Sequence, residues 1–279
     1  MLLPKLLSAL PFTVNVSGKK HDLICALGRA VQPLPDSFLL EGTPLNVKKH
    51  TKAHIMGYAG HNFLKNFRTS YLGQYMANNL AANDLFVDAG ANLGGFSFMA
   101  KRMGAQVVAI EADPQLANFL AENENAFGKV LSLALSDEAG TSTFYISDEN
   151  IGGNSLVMSS KGWESSGYSS KCEVKTARLD ALGLAANGQR IKLLKIDVEG
   201  HEEAVVKGCA GLFSADAVET VWCEVRGPQS DRNPSSYLPV CEELAKYGFN
   251  AFTFGGTLHP FDWRNAQEVP QFFDLLFQK

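Results

Sequence analysis

From residue 83 onward, short apolar runs alternate with amphipathic stretches, and no other feature constrains the fold so tightly. Apolar runs of this kind, separated by helical patterns, mark βα units on a mostly parallel sheet. Strands are expected at Leu85–Asp88, Gln106–Glu111, Val130–Leu135, Leu193–Val198, Glu219–Val225 and Asn250–Phe254. Helices are expected at Gly95–Met103, Pro114–Ala126, Glu202–Lys207 and Tyr237–Tyr247. Pro114 suits a first helical turn, where its missing N–H costs nothing, and Asp113 before it suits the N-cap. The Ser- and Gly-rich stretch Thr141–Lys175 interrupts the alternation, with strand-like flanks at Thr143–Ile146 and Cys172–Thr176. A loop this long inside a compact domain is usually functional.

Residues 1–80 have a different character. Prolines 4, 11, 33, 35 and 44 break up the pattern, and the best regular element is a helical stretch near Lys65–Asn79. The chain therefore divides into an extension, 1–80, and an α/β domain, 81–279. The extension holds nine basic and three acidic residues, a balance of +6 that leaves −10 for the rest of a chain whose net charge is −4. Such a flank is most simply solvated, although it also offers a basic face for a membrane surface or an anionic substrate. Pro4 and Lys5 interrupt the first apolar stretch, which is too short for a signal peptide. No apolar run reaches 18 residues, so no membrane-spanning helix is expected. Cys25, Cys172, Cys209, Cys223 and Cys241 are scattered and odd in number, which favours reduced thiols and a cytoplasmic location.

The segment Leu85-Phe-Val-Asp-Ala-Gly-Ala-Asn-Leu-Gly-Gly95 carries the clearest chemistry. A strand ends in Asp88, and Gly90-x-x-x-Gly94 turns the chain into a helix whose N-terminus presents free N–H groups. This is not the Gly-x-Gly-x-x-Gly of dinucleotide sites. A carboxylate before the first glycine is wrong for a pyrophosphate and right for a cationic ammonium, so S-adenosylmethionine fits where NAD does not. The second strand ends in Glu111, 23 residues after Asp88. In a doubly wound fold that position meets a ribose, whose two hydroxyls a carboxylate can accept. The third strand ends in Asp137, near an expected adenine amino group. Further on, Lys195-Ile-Asp-Val-Glu-Gly-His201 delivers Asp197, Glu199 and His201 to the carboxyl edge, with Lys195, Asp197 and Glu199 expected on one side by strand alternation.

Asp88-Ala-Gly-Ala-Asn-Leu-Gly94, Ile110-Glu-Ala-Asp-Pro114, Ala134-Leu-Ser-Asp137, Thr176-x-x-Leu-Asp180 and Leu194-Lys-Ile-Asp-Val-Glu-Gly-His-Glu202 follow one another in an order that resembles FkbM-type S-adenosylmethionine-dependent methyltransferases. The resemblance covers about residues 83–256 and implies a Rossmann-like class I methyltransferase fold. That fold is a mostly parallel seven-stranded sheet, with Phe272–Phe277 the candidate for an antiparallel last strand. It implies S-adenosylmethionine as cofactor, held by Asp88, Gly90, Ala91, Asn92, Gly94, Glu111, Ala112, Ser136, Asp137 and Asp197. Members typically methylate hydroxyls of sugars, glycans or polyketides.

Asp197, Glu199 and His201 are the expected catalytic residues. Methyl transfer to an alcohol needs alignment and a base, and His201 has a suitable resting pKa. Asp197 is expected on the cofactor side, and Glu199 or His201 on the acceptor side. A metal-free mechanism is expected, although Asp197, Glu199 and Glu224 together could hold Mg²⁺. His50, His54 and His61 lie among lysines and read as a solvent-facing helix turn. Trp163, Tyr168 and Gly152–Ser155 are candidates for sugar contact. The partner is a small-molecule or glycan acceptor, and no nucleic acid is expected. The competing readings are an NAD-dependent or other nucleotide-binding sugar enzyme, and an idle binding module that keeps the fold.

Overall fold

The computed structural model describes residues 36–47, 61–147, 150–165 and 167–279. The signal-like segment 1–12, the basic residues at 5–29 and 48–52, Cys25, and the pair His50 and His54 lie outside them. The chain runs through a hairpin of β1 (Ser37–Leu40) and β2 (Thr43–Asn46), then α1 (His61–Thr69) and α2 (Tyr71–Asn79). The βα units follow as β3 (Leu85–Ala89), α3 (Gly95–Arg102), β4 (Gln106–Glu111), α4 (Pro114–Glu122), α5 (Glu124–Phe127) and β5 (Lys129–Ser132). Next come β6 (Ala134–Leu135), β7 (Gly140–Ile146) and β8 (Ser170–Ala177), which form a small separate sheet. The chain finishes through β9 (Ile191–Ile196), α6 (Glu202–Lys207), α7 (Ala210–Ser214), β10 (Val218–Arg226), α8 (Tyr237–Ala245), β11 (Asn250–Phe254), β12 (Leu258–Pro260) and β13 (Phe272–Gln278).

The main sheet has eight strands in the order β12-β11-β13-β10-β9-β3-β4-β5. β5, β4, β3, β9 and β10 are parallel, and β13 lies antiparallel between β10 and β11. This is the class I methyltransferase arrangement, with β12 added antiparallel at the edge. Strand alternation sends neighbours to opposite faces. Val87, Leu194, Val221, Cys223 and Leu275 pack on one face with Val205 and Val206 of α6 and Val240 of α8. Phe86, Leu193, Trp222 and Leu276 pack on the other with Tyr75 and Met76 of α2 and Met99 of α3. Both faces are covered, which is why these strands read as continuous apolar runs.

Several boundaries move. The expected helix from Lys65 breaks at Ser70, whose hydroxyl caps α2 by accepting from Gly73 N at 3.1 Å. The expected strand Val130–Leu135 splits at Leu133, where Leu133 N bonds back to Glu111 O and the chain leaves the main sheet for β6. The expected helix Pro114–Ala126 breaks at Asn123, which spends its side chain on Asn46 and Phe119. Through these bonds the β1–β2 hairpin joins the α4–α5 corner, and Leu40 and Leu45 enter one cluster with Leu120 and Phe127. Among the described residues no helix is long and apolar enough to cross a membrane.

Candidate active site

A cleft partly open to solvent lies at the carboxyl edge of β3, β4, β9 and β10. Ligands of open α/β sheets bind at this edge. Gly90, Asn92, Glu111 and Ala112 border it on one side, and Asp197, Glu199, His201 and Glu224 on the other. Ile110, Leu116, Leu133 and Leu135 add an apolar wall.

The turn after β3 explains the glycine and asparagine there. Gly90 has φ +81°, and a Cβ on it would lie 1.9 Å from the Asp197 carbonyl oxygen, so only glycine admits the close approach of the turn to the end of β9. Asn92 also sits in the left-handed region, at φ +52°, and its side-chain oxygen accepts from Leu93 N. Asn92 N donates to Glu111 Oε2 and Asp113 N to Glu111 Oε1, both at 2.7 Å. Two backbone amides thus orient Glu111 at the cleft and leave one lone pair on each oxygen for a further donor. Burial, partly offset by these two bonds, pushes the Glu111 carboxyl up to about 7. Asp113 caps α4 through Gln115 N, and its other oxygen accepts from Asn154 Nδ2 at 2.9 Å.

Asp88 departs from expectation. Its side chain is 1% exposed, and it does not border the cleft. Asp88 and Lys195 are register partners on β3 and β9, so alternation places both on the α3 face. There Asp88 Oδ2 accepts from Ser97 Oγ at 2.7 Å. Asp88 Oδ1 lies 3.1 Å from Lys195 Nζ, close enough for an ion pair though not aligned as a hydrogen bond. Asp88 therefore acts on the cleft only through Lys195, which also donates to Gly90 O at 2.9 Å and lies 3.5 Å from Asp197 Oδ2. Burial alone would lower the Lys195 ammonium, but Asp88 and Asp197 overcome it and hold it raised. Gly94 is a packing glycine. A Cβ there would strike Leu120 and Phe127 at 2.6 Å. Ala91 is buried beneath the turn.

The expected adenine contacts at the third strand also change. Ser136 is buried, and neither Ser136 nor Asp137 borders the cleft. Ser136 Oγ pairs with Asp137 Oδ1 at 3.1 Å and His201 Nε2 at 3.0 Å. The Ser136 hydroxyl donates its one proton to Asp137 Oδ1, so it takes the His201 Nε2–H, which makes Nδ1 the ring's acceptor. Burial lowers the His201 pKa and keeps the ring neutral at neutral pH. Asp180 of the Thr176 motif is structural, since it pairs with Arg178 and accepts Gly211 N, tying β8 to α7.

β9 ends at Ile196, so Asp197 and Glu199 come off a turn and not a strand. Glu199 takes φ +60° and Gly200 φ +107°. Glu202 closes this turn from α6 by accepting Gly200 N at 2.8 Å. The turn, and not strand alternation, therefore brings Lys195, Asp197 and Glu199 near one another, with Lys195 Nζ 3.5 Å from Asp197 Oδ2 and an oxygen of Asp197 within 4.8 Å of one of Glu199. Glu199 Oε2 is held by Arg226 Nη2 at 2.6 Å and Arg232 Nη1 at 3.3 Å, which makes it an anchor and removes it as a free acceptor-side base. Burial and Asp197 push its carboxyl up, against the two guanidinium groups.

The excursion between β7 and β8 covers this side. Ser155 Oγ donates to Glu199 O, Ser159 Oγ to Asp231, and Arg232 lies over the Tyr168 ring at 5.3 Å. Gly152, Asn154 and Leu156 reach the cleft wall. Tyr168 does not serve as a sugar platform: it is buried, stacked on Tyr145 at 5.3 Å, and its hydroxyl donates to Val157 O. Trp163 packs at the edge of the same cluster.

Arg226 and Arg232 are functional neighbours that sequence reasoning missed. Alternation along β10 puts Trp222, Glu224 and Arg226 on one face, a signal that was available for Arg226. Arg232 lies in a loop and had none. Asp197, Glu199 and Glu224 each bring one oxygen to within 4.8 Å of the others.

Strand order and cleft define a Rossmann-like class I methyltransferase fold. Residues 88–251 match the Methyltransferase FkbM domain, more than half of the chain, and the chain belongs to that family, whose cofactor is S-adenosylmethionine. It is 36% identical over 167 residues to Methyltransferase sdnD of Sordaria araneosa, covering 48% of this chain and 63% of that protein, less than two thirds of its length. Among solved structures it is similar to magnesium protoporphyrin IX methyltransferase of Synechocystis PCC 6803 at 10% identity and a TM-score of 0.42, covering 95% of this chain and all of that one. A TehB-like methyltransferase of Corynebacterium glutamicum gives 12% and 0.40, covering 78% and 96%. Likeness this distant carries no argument about activity.

Proposed function

We propose that the chain is an S-adenosylmethionine-dependent methyltransferase that acts on a hydroxyl of a sugar, glycan or secondary metabolite. The observation that carries the reading is Glu111, held at the tip of β4 by two amides with its remaining lone pairs free for ribose hydroxyls. The Gly90–Asn92 turn would lie along the same ligand, with Ala112 and the apolar wall of Ile110, Leu116, Leu133 and Leu135 beside its base. Asp197, whose side chain is 34% exposed at the cleft, would meet the ammonium group. The cofactor, when bound, supplies an electrophilic methyl group. The protein's part is to align an acceptor oxygen and remove its proton.

Asp197 and Glu199 already answer Lys195 and Arg226, which supports a metal-free site. His201, neutral and with Nδ1 as acceptor, is retained as a cleft-wall group beside the acceptor. The scattered cysteines support a cytoplasmic location. Titration calorimetry tests the reading. S-adenosylhomocysteine should bind and NAD should not. The reverse preference would assign the cleft to a nucleotide enzyme of another class. A panel of glycoside and phenol acceptors with labelled cofactor then identifies the methylated atom.

A further inference from the structure

Glu224 stands apart from the other ionisable groups around the cleft. Asp88 and Asp197 flank Lys195, Glu199 is taken up by Arg226 and Arg232, His201 by Ser136, and Glu111 by two amides. Glu224, near the end of β10 on the cleft wall, accepts no side-chain hydrogen bond among the described residues. Its one ion-pair neighbour among them is Arg226, at 3.8 Å, and its side chain remains 30% exposed. The charged groups that face it are Asp197 and Glu199 from the turn after β9, Asp274 from the register partner on β13, and Arg226 from its own strand. Burial first, then these three carboxylates, push the Glu224 carboxyl well up, so the free protein holds it protonated at neutral pH.

We propose that Glu224 is the general base for transfer to an uncharged hydroxyl, and that a positive charge arriving beside it brings it into its working, ionised form. The inference rests on the cleft holding S-adenosylmethionine, as proposed above. In the step, the acceptor O–H bond breaks and its proton passes to the Glu224 carboxylate. The oxygen's electron pair forms the bond to the methyl carbon, and the carbon–sulfur bond breaks with its pair left on sulfur. The products are a methyl ether, a neutral thioether and protonated Glu224, which returns to its resting form. The sulfonium's positive charge and Glu224's negative charge disappear together, so no net charge is stranded in the cleft. A carboxylate acceptor would bring a further negative charge towards Asp197 and Glu199 and would need no base. The acceptor class is therefore a neutral alcohol.

Calorimetry of the full chain with S-adenosylmethionine and with S-adenosylhomocysteine, each at pH 7.5 in phosphate and in Tris, reads the protons released on binding. The charged ligand should release up to about one proton more than the neutral one. In Glu224→Gln that excess should vanish while S-adenosylhomocysteine still binds. Carbon-13 NMR of glutamate-labelled wild type gives the same reading without a substitution. One carboxyl should move to its ionised shift with the sulfonium ligand and not with the thioether. Equal proton release by the two ligands, or an excess that survives in Glu224→Gln, overturns the assignment of Glu224. Failure of both ligands to bind overturns the cofactor reading beneath it.

Discussion

At the β3–β4 edge of the cleft, the groups facing the cavity are held by backbone: Glu111 by two amides, and the Gly90 turn by contact with the Asp197 carbonyl. At the β9–β10 edge they are held by charges drawn from distant segments, with Glu199 tied to Arg226 and Arg232 and roofed by Ser155. Backbone contacts within adjacent βα units permit little adjustment. A network gathered from a turn, a strand end and two loops can be retuned one side chain at a time. A rigid half for a constant cofactor and an adjustable half for the acceptor is the division this contrast implies.

The largest effect should come from the rigid half. Gly90→Ala must place a Cβ against a backbone oxygen and hold a positive φ, and should cost about 3 kcal/mol or more, with loss of S-adenosylhomocysteine binding. Urea denaturation and calorimetry measure both, and a folded, binding variant would break the contrast. Asp88→Ala should come next. It leaves the Lys195 ammonium buried beside only the partly exposed Asp197, a change worth about 3 kcal/mol or more. A loss of a few tenths in urea would show that Lys195 does not depend on Asp88.

Arg232→Ala probes the adjustable half. Glu199 keeps Arg226, so the expected cost is about 1–2 kcal/mol. Limited proteolysis should then cut within 150–165 more readily, and cofactor affinity should hardly change. An equal loss of cofactor affinity would mean the two halves are coupled.

Acidity separates the halves more gently. Because burial lifts Glu111 from 4.5 to about 7, the unliganded fold holds this proton more tightly than the unfolded chain does. Its contribution to stability is therefore present at low pH and declines as pH rises from about 4.5 to 7. Hydroxyl donors favour the ionised form, so S-adenosylhomocysteine affinity should rise severalfold from pH 6 to 8 and then level off. A flat profile in calorimetry would contradict this. The smallest effect is none at all: EDTA should leave cofactor affinity unchanged.

The two halves were also unequally legible in the sequence. β3, β4, the Gly90 turn and the Asp113 cap follow from local patterns, β13 follows from the family resemblance, and Glu111 follows from its place at a strand end. Asp88 stood in the same motif, yet its role depends on which face it shares with Lys195, and that required the β3–β9 register. The hop at Leu133 turns on a hydrogen bond to Glu111 O inside an apolar run broken only by Ser132, and it carries Ser136 and Asp137 off the cleft. The clamp on Glu199 joins residues 27 and 33 positions apart, a separation no periodicity reports.

The account depends most on Glu111 meeting the cofactor's ribose. Calorimetric titration of S-adenosylhomocysteine into wild type and Glu111→Ala, with circular dichroism to verify the fold, tests this directly. Loss of one or two charge-assisted bonds predicts affinity weakened about tenfold or more. An intact Glu111→Ala protein that binds as tightly as wild type would contradict it.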